Sequence, residues 1–302
     1  MRELVFIHGR SQQHKDATAL KQEWISSFAD GLKKSNLSLP IAESAIHFPY
    51  YGDTLIALVD GLPADQVAQI IVKGDNADEQ ERAFALSVIR EIGRQAGLTD
   101  TEVAAIVGDE SLMRKGPLNW PWVRAIITAI DKHVPFGSGT SIALFTRDVY
   151  QYLKNPGIRN RIDAGVAKAI GTAPTVVVAH SLGTVVAYDL LRREGSSQHW
   201  RIPDLITLGC PLAVNAIREA VAPRVHPSCI GRWFNAMDNR DIVALYPLDP
   251  TDGWDVDPAI ENKTDVNNPT SNRHGITGYL SDRVVARRIY DALNQSAAQH
   301  GT

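Results

Sequence analysis

The sequence predicts an α/β protein: one domain over residues 1–302, with a mostly parallel sheet flanked by helices. Three observations carry this. Short β-branched runs alternate along the chain with segments whose apolar residues recur at helical spacing. In "TVVVAHSLGTVVAYDLL", residues 175 to 191, a buried-strand pattern turns directly into a helical one, with Leu182, Val185, Val186 and Leu190 on one face. The composition, 44% hydrophobic and 22% charged over 302 residues, supplies material for a large core.

Taken in order, Leu4–Ile7 reads as the first strand and Ala17–Leu32 as the helix after it. Ala45–Phe48 is a candidate second strand. From about residue 53 to 140 the strand signal disappears, while Ala85, Val88, Ile89 and Ile92, and then Val123, Ile126, Ile127 and Ile130, keep helical spacing. This region is expected to be a helical cap inserted over one end of the sheet. Its "LNWPW" stretch, 118 to 122, reads as core packing, with a substrate-covering or interfacial lid as the alternative. Thr175–Ala179, Leu205–Leu208 and Trp233–Met237 read as later strands and Asp282–Leu293 as a closing helix. "ENKTDVNNPTSNR", 261 to 273, reads as a polar loop.

Composition also excludes function classes. A formal charge of −3 carries no basic excess for nucleic acid or an anionic membrane. The two cysteines, Cys210 and Cys229, make neither a disulfide framework nor a metal knuckle and read as reduced thiols. The run Leu4–Ile7, broken by His8, is too short for a signal peptide or a membrane span, so the expected location is cytoplasmic, with peripheral membrane contact left open. Asp249, Asp252, Asp255 and Asp257 lack EF-hand spacing and read as a solvated acidic loop. No cofactor and no metal is expected.

Chemistry enters at Ser181. A strand that turns sharply into a helix strains its corner residue and needs small flanking positions, here Ala179 and Gly183. The corner hydroxyl then stands clear of the sheet, beside the free N–H groups at the helix start. A serine hydroxyl attacks only when a base takes its proton, and that base needs an orienting acid. In the strand–turn–helix setting the order is serine, acid, histidine. Asp238 and Asp241 lie on the loop after the Trp233 strand, and of the later histidines His274 is the candidate base, since His300 sits almost at the chain end. The N–H of Leu182, with that of Gly9 or Arg10 after the first strand, would supply an oxyanion hole. His8 and His180 read as structural residues, and a plain exposed arginine is the simpler account of the Arg10 side chain.

With these pieces in place the sequence resembles the α/β-hydrolase superfamily, and within it lipase- and esterase-type enzymes. The likeness rests on "FIHG" (6–9), "AHSLG" (179–183), "NRDIV" (239–243), "HG" (274–275) and the strand-turn "LITLGCPL" (205–212). It implies Ser181 as nucleophile, His274 as base and Asp241, the aspartate directly before an Ile-Val pair, as acid, with a small-molecule or lipid ester as substrate. Some relatives of this type hold calcium near the catalytic histidine. Ala179 departs from the usual first motif glycine, Cys210 stands where serine is frequent, and the sheet is expected to lack its customary first hairpin. Thioesterase, amidase and peptidase chemistry use the same machinery, and a non-catalytic binding protein on the same fold is the alternative from another class.

Overall fold

The structure, a computed structural model, describes residues 2–9, 16–51, 79–107, 125–130 and 139–295. Its strands are β1 (Glu3–Ile7), β2 (Ile46–His47), β3 (Thr175–His180), β4 (Ile202–Leu208), β5 (Ile230–Ala236) and β6 (Glu261–Lys263). They form one sheet in the order β2-β1-β3-β4-β5-β6, every neighbouring pair parallel. Helices α1 (Ala17–Lys33), α2 (Glu79–Gln95), α3 (Asp100–Val107), α4 (Gly139–Lys154) and α5 (Pro156–Ala169) precede β3. Helices α6 (Leu182–Glu194), α7 (Asn215–Ala220), α8 (Ile276–Leu280) and α9 (Arg283–Asn294) follow it, and residues 125–130 form a further helical stretch.

Strand register explains why both faces of this sheet are buried. Phe6 pairs with Val178, Val178 with Ile206, and Ile206 with Phe234, so one row runs across four strands on one face. That row packs against Trp24 and Phe28 of α1 and Val285 and Ile289 of α9. The alternate row, Val5, Val177, Leu205 and Trp233, faces the other way. It belongs to a larger cluster with Val185 and Val186 of α6, Tyr152 of α4 and Ile162 of α5. Two-sided cover is what an all-parallel sheet requires, and it is why β3 is buried at every residue.

Local signals set the helix starts. Asp16 accepts from Ala19 N at 2.7 Å, Asn155 from Gly157 N at 3.0 Å with Pro156 in the first turn, and Asp282 from Val284 N at 2.8 Å. The predicted strands and the first and closing helices are present, with β2 shortened to two residues after a 3-10 turn at Glu43–Ala45. One expectation needs correction: the polar tract 261–273 opens with strand β6. At a sheet edge polar side chains suit a strand, and Asn262 is fixed by bonds from Asn235 Nδ2 to its Oδ1 (2.9 Å) and from its Nδ2 to Leu248 O (2.8 Å).

The described part of the expected insertion is mostly helical, with a turn at residues 96–99. Helix α2 packs along α4 and reaches α7, and its Val88, Ile89 and Ile92 join the same buried cluster as Val5 and Val177. Val123 and "LNWPW" lie outside the described residues. Among the described residues no helix is long and apolar enough to cross a membrane.

The strand order places a switch point between β1 and β3, because the chain leaves β1 toward β2 on one side and later returns to β3 on the other. Parallel sheets form their ligand crevices at such points, beyond the carboxyl ends of the strands. The segments that emerge there are His8–Gly9 after β1 and Ser181 after β3.

Candidate active site

Ser181 occupies the N-cap position of α6 but does not behave as a cap. Its backbone stands at φ 56° and ψ −128°, a left-handed-side conformation that a non-glycine residue adopts at a cost of order 1–3 kcal/mol. Its side chain makes no capping hydrogen bond. The hydroxyl instead lies 2.8 Å from His274 Nε2. Close contacts explain the small residues nearby. A Cβ on Gly183 would stand 2.6 Å from His8 O, and one on Gly9 would stand 2.7 Å from Ser181 Cβ. Both glycines let the β1 and β3 ends approach one another.

His274 follows with its other ring nitrogen on Asp241: Nδ1 lies 2.7 Å from Asp241 Oδ2. A carboxylate oxygen only accepts, so Nδ1 carries the hydrogen and Nε2 is left to accept from the Ser181 hydroxyl. The His274 side chain is 15% exposed, whereas that of Asp241 is fully buried. Four donors converge on Asp241: Val243 N (2.9 Å) and Ala244 N (3.3 Å) on Oδ1, and His274 Nδ1 and the Tyr279 hydroxyl (2.7 Å) on Oδ2. Residue spacing alone left Asp238 beside Asp241 as a candidate, the resemblance favoured Asp241, and it is Asp241 that lies against His274. Asp238 is turned to Arg240, whose Nε and Nη2 donate at 3.0 and 2.9 Å, and to Asn268 N at 2.9 Å. Burial pushes the Asp238 carboxyl up, and the hydrogen bonds from Arg240 and Asn268 outweigh it and hold the group below the usual carboxylate range.

Of the residues that support this row, Asn268 and Tyr279 were not legible as such in the sequence, whereas His180 has the structural role expected of it. Asn268, fully buried, staples the histidine loop by donating from Nδ2 to Gly275 O at 2.9 Å and accepting Thr270 N at 3.0 Å. His180 donates Nε2–H to the His274 carbonyl at 2.8 Å, its ring 4.7 Å from the His274 ring. Burial and then the adjacent His274 push the His180 imidazole well below the ordinary histidine range. Tyr279 on α8 reaches Asp241 as described, and nothing but its place five residues beyond His274 marks it in the sequence. His8 has the structural role expected of it. Its Nδ1–H donates to Gly9 O at 2.7 Å and its Nε2 accepts Tyr51 N–H at 3.2 Å, an arrangement that suits only the neutral ring.

Leu182 is the first residue of α6, so its N–H has no acceptor within the helix and points with the other first-turn donors away from the helix body. Gly9 lies against Ser181, while Arg10 and His300 fall outside the described residues. Cys210 and Cys229 are unbridged, and burial pushes the Cys210 thiol up to about 12, which leaves it unreactive. In the acidic loop Asp249 caps its own turn, accepting Thr251 N at 2.9 Å and Asp252 N at 3.1 Å. No group of three or more His, Cys, Asp or Glu that could hold a metal occurs among the described residues.

Fold and site together define an α/β protein with a parallel six-stranded sheet and a hydrogen-bonded row Ser181–His274–Asp241 at its switch point. The sequence matches none of the protein-family models and none of the curated proteins with which it was compared.

Proposed function

We propose that the chain is a serine hydrolase of the α/β-hydrolase type that cleaves a carboxylic ester through an acyl-enzyme. The observation that carries this is the pair of short hydrogen bonds, Ser181 Oγ to His274 Nε2 at 2.8 Å and His274 Nδ1 to Asp241 Oδ2 at 2.7 Å. Each partner is within the reach that proton transfer requires, and the nucleophile–acid–base order along the chain agrees with the strand–turn–helix setting.

In the proposed reaction His274 Nε2 takes the Ser181 proton as Oγ attacks the ester carbonyl carbon. The tetrahedral oxyanion is met by the N–H of Leu182 and that of Gly9 or Arg10. His274 then returns the proton to the leaving alkoxide, and the acyl group stays on Ser181. Water, deprotonated by His274, attacks the acyl carbon; the bond from that carbon to Ser181 Oγ breaks, His274 returns the proton to Oγ, and the acid departs. Asp241 holds His274 in the tautomer that leaves Nε2 free to accept and stabilises the imidazolium formed in each half-reaction. The backbone strain at Ser181 supports the reading, since strain of this kind is retained where it presents a side chain for use. An ester is proposed, rather than a thioester or amide, from the sequence likeness to lipase- and esterase-type enzymes. A non-catalytic binding protein would need neither short bond.

The test is intact-mass spectrometry after exposure to a fluorophosphonate, on wild type and on Ser181→Ala. One adduct on wild type and none on the variant is expected, with turnover of p-nitrophenyl esters lowered on the order of 10⁴-fold in the variant. An unlabelled, well-folded wild type would sink the proposal.

A further inference from the structure

Tyr279 is fully buried on α8, with its ring 6.0 Å from that of His180. Its hydroxyl donates to Asp241 Oδ2 at 2.7 Å, the oxygen that also accepts His274 Nδ1–H at 2.7 Å. The direction of that donation is fixed, because the same hydroxyl accepts Asp238 N–H at 3.1 Å and has only one hydrogen to give. Asp241 Oδ1 is already occupied by the N–H groups of Val243 and Ala244. Two donors on Oδ2 divide its negative charge between them, so each holds it less firmly than it would alone.

We infer that Tyr279 is a positioning residue that acts through Asp241: its hydroxyl orients the carboxylate and moderates the basicity of His274. This rests on the acyl-transfer reading of the site given above. The argument follows from charge. Asp241 stabilises the His274 imidazolium, and a hydroxyl bonded to Oδ2 draws off part of that stabilisation. Without it, Oδ2 binds the imidazolium more tightly, the base holds its proton to higher pH, and less of the deprotonated form that accepts from Ser181 is present at a given pH. Burial first, and then the neighbouring Asp241 charge, push the Tyr279 phenol well above its ordinary range, which keeps it a donor.

Among the described residues, the other groups around His274 are accounted for. His180 faces its ring from the end of β3 and gives its Nε2–H to the His274 carbonyl, and Ser181 faces Nε2. Asp238, behind Tyr279, is paired with Arg240, and Arg273 donates Nη1 to Asn268 O at 2.8 Å. Tyr279→Phe removes the bond to Oδ2 and the acceptor for Asp238 N and leaves those groups in place.

The experiment uses the full chain as wild type, as Tyr279→Phe, and with 2,3-difluorotyrosine introduced at position 279, which keeps the shape and strengthens the O–H donor. Two quantities are followed against pH: the ring ¹⁵N shifts of His274, assigned by their loss in His274→Asn, and the rate of fluorophosphonate labelling. The expected result is a titration midpoint about half to one pH unit higher in Tyr279→Phe, lower with the fluorinated ring, and matched by the acid limb of the labelling rate. Slower labelling at every pH with unmoved midpoints would reduce Tyr279 to a structural filler and overturn the inference. Wild type that resists labelling would sink the hydrolase reading instead, and the ¹⁵N midpoints would still decide whether Tyr279 moderates His274.

Discussion

His8 and Tyr51 stack with ring centroids 3.9 Å apart and are joined twice by hydrogen bonds, Tyr51 N–H to His8 Nε2 at 3.2 Å and the Tyr51 hydroxyl to His8 O. The pair fixes the backbone that leaves β1 beside Ser181. It also fixes a protonation state, since an imidazolium would aim an N–H at the Tyr51 N–H.

A pH dependence of stability follows. Burial lowers the folded His8 value to about 4, against an unfolded value near 6.5. Between the two the unfolded chain holds more protons than the folded one, so stability rises with pH there. The contribution is complete above about pH 6.5 and is lost as pH falls toward 4, up to roughly 3 kcal/mol. Urea denaturation of wild type and His8→Gln at several pH values across this window measures it, and the variant's slope should be shallower. His180 and His226, also lowered by burial, contribute in the same direction to the slope that remains.

Asp241 and Asp238 should separate cleanly on mutation. Asp241→Asn removes the acceptor of His274 Nδ1–H and should lower turnover on the order of 10⁴-fold in a folded protein. Asp238→Asn weakens the pairing with Arg240 and the bond from Asn268 N and should lower the melting temperature, with a much smaller loss of rate. The Asp238 carboxyl is held below its unfolded value, so its contribution is present above about pH 3.9 and is lost as pH falls through the folded value. Thermal melts and ester turnover on the two variants give both quantities, and equal rate losses would undo the distinction.

That distinction marks the limit of what the sequence discloses. Strand runs such as Thr175–Val178 are legible because a parallel strand buried on both faces is continuously apolar, and Ser181 because strain demands small neighbours. The partition between Asp238 and Asp241 is decided by which carboxylate faces His274, a matter of loop path that spacing does not encode. Tyr279 and Asn268 act through contacts across 38 and 7 positions that no local pattern announces. Strand β6 escapes because an edge position removes the apolar requirement by which strands are recognised.

Gly209 offers a steric test of the histidine's placement. It sits at φ +55°, and a Cβ there would stand 3.1 Å from His274 Cε1 and Nδ1 and 3.1 Å from Tyr279 Cε2. Gly209→Ala should displace the imidazole by a few tenths of an ångström and lower turnover by roughly 10- to 100-fold, with KM changed little. Steady-state kinetics decide this, and an unchanged turnover would mean that the ring has room the contacts deny.

Glu91 ties α2 to the start of α7 and, through Tyr246, to the segment that follows Asp241. Its carboxylate oxygens accept Asn215 N at 3.1 and 3.3 Å, and the Tyr246 hydroxyl joins them from five residues beyond Asp241. Burial raises the Glu91 carboxyl above its ordinary value, a shift that the hydrogen bonds from Asn215 and Tyr246 reduce but do not cancel. The sign is opposite to that of His8: between the unfolded and folded values the folded chain holds more protons, so this contribution weakens as pH rises through the window. Glutamine keeps an oxygen for Asn215 N without the charge, so Glu91→Gln should leave neutral-pH stability within about 1 kcal/mol of wild type or raise it. Glu91→Ala, which strands the Asn215 and Tyr246 groups, should lower it by about 1–3 kcal/mol. If glutamine proved as damaging as alanine in a thermal melt, the charge itself would be what holds α2 to that segment.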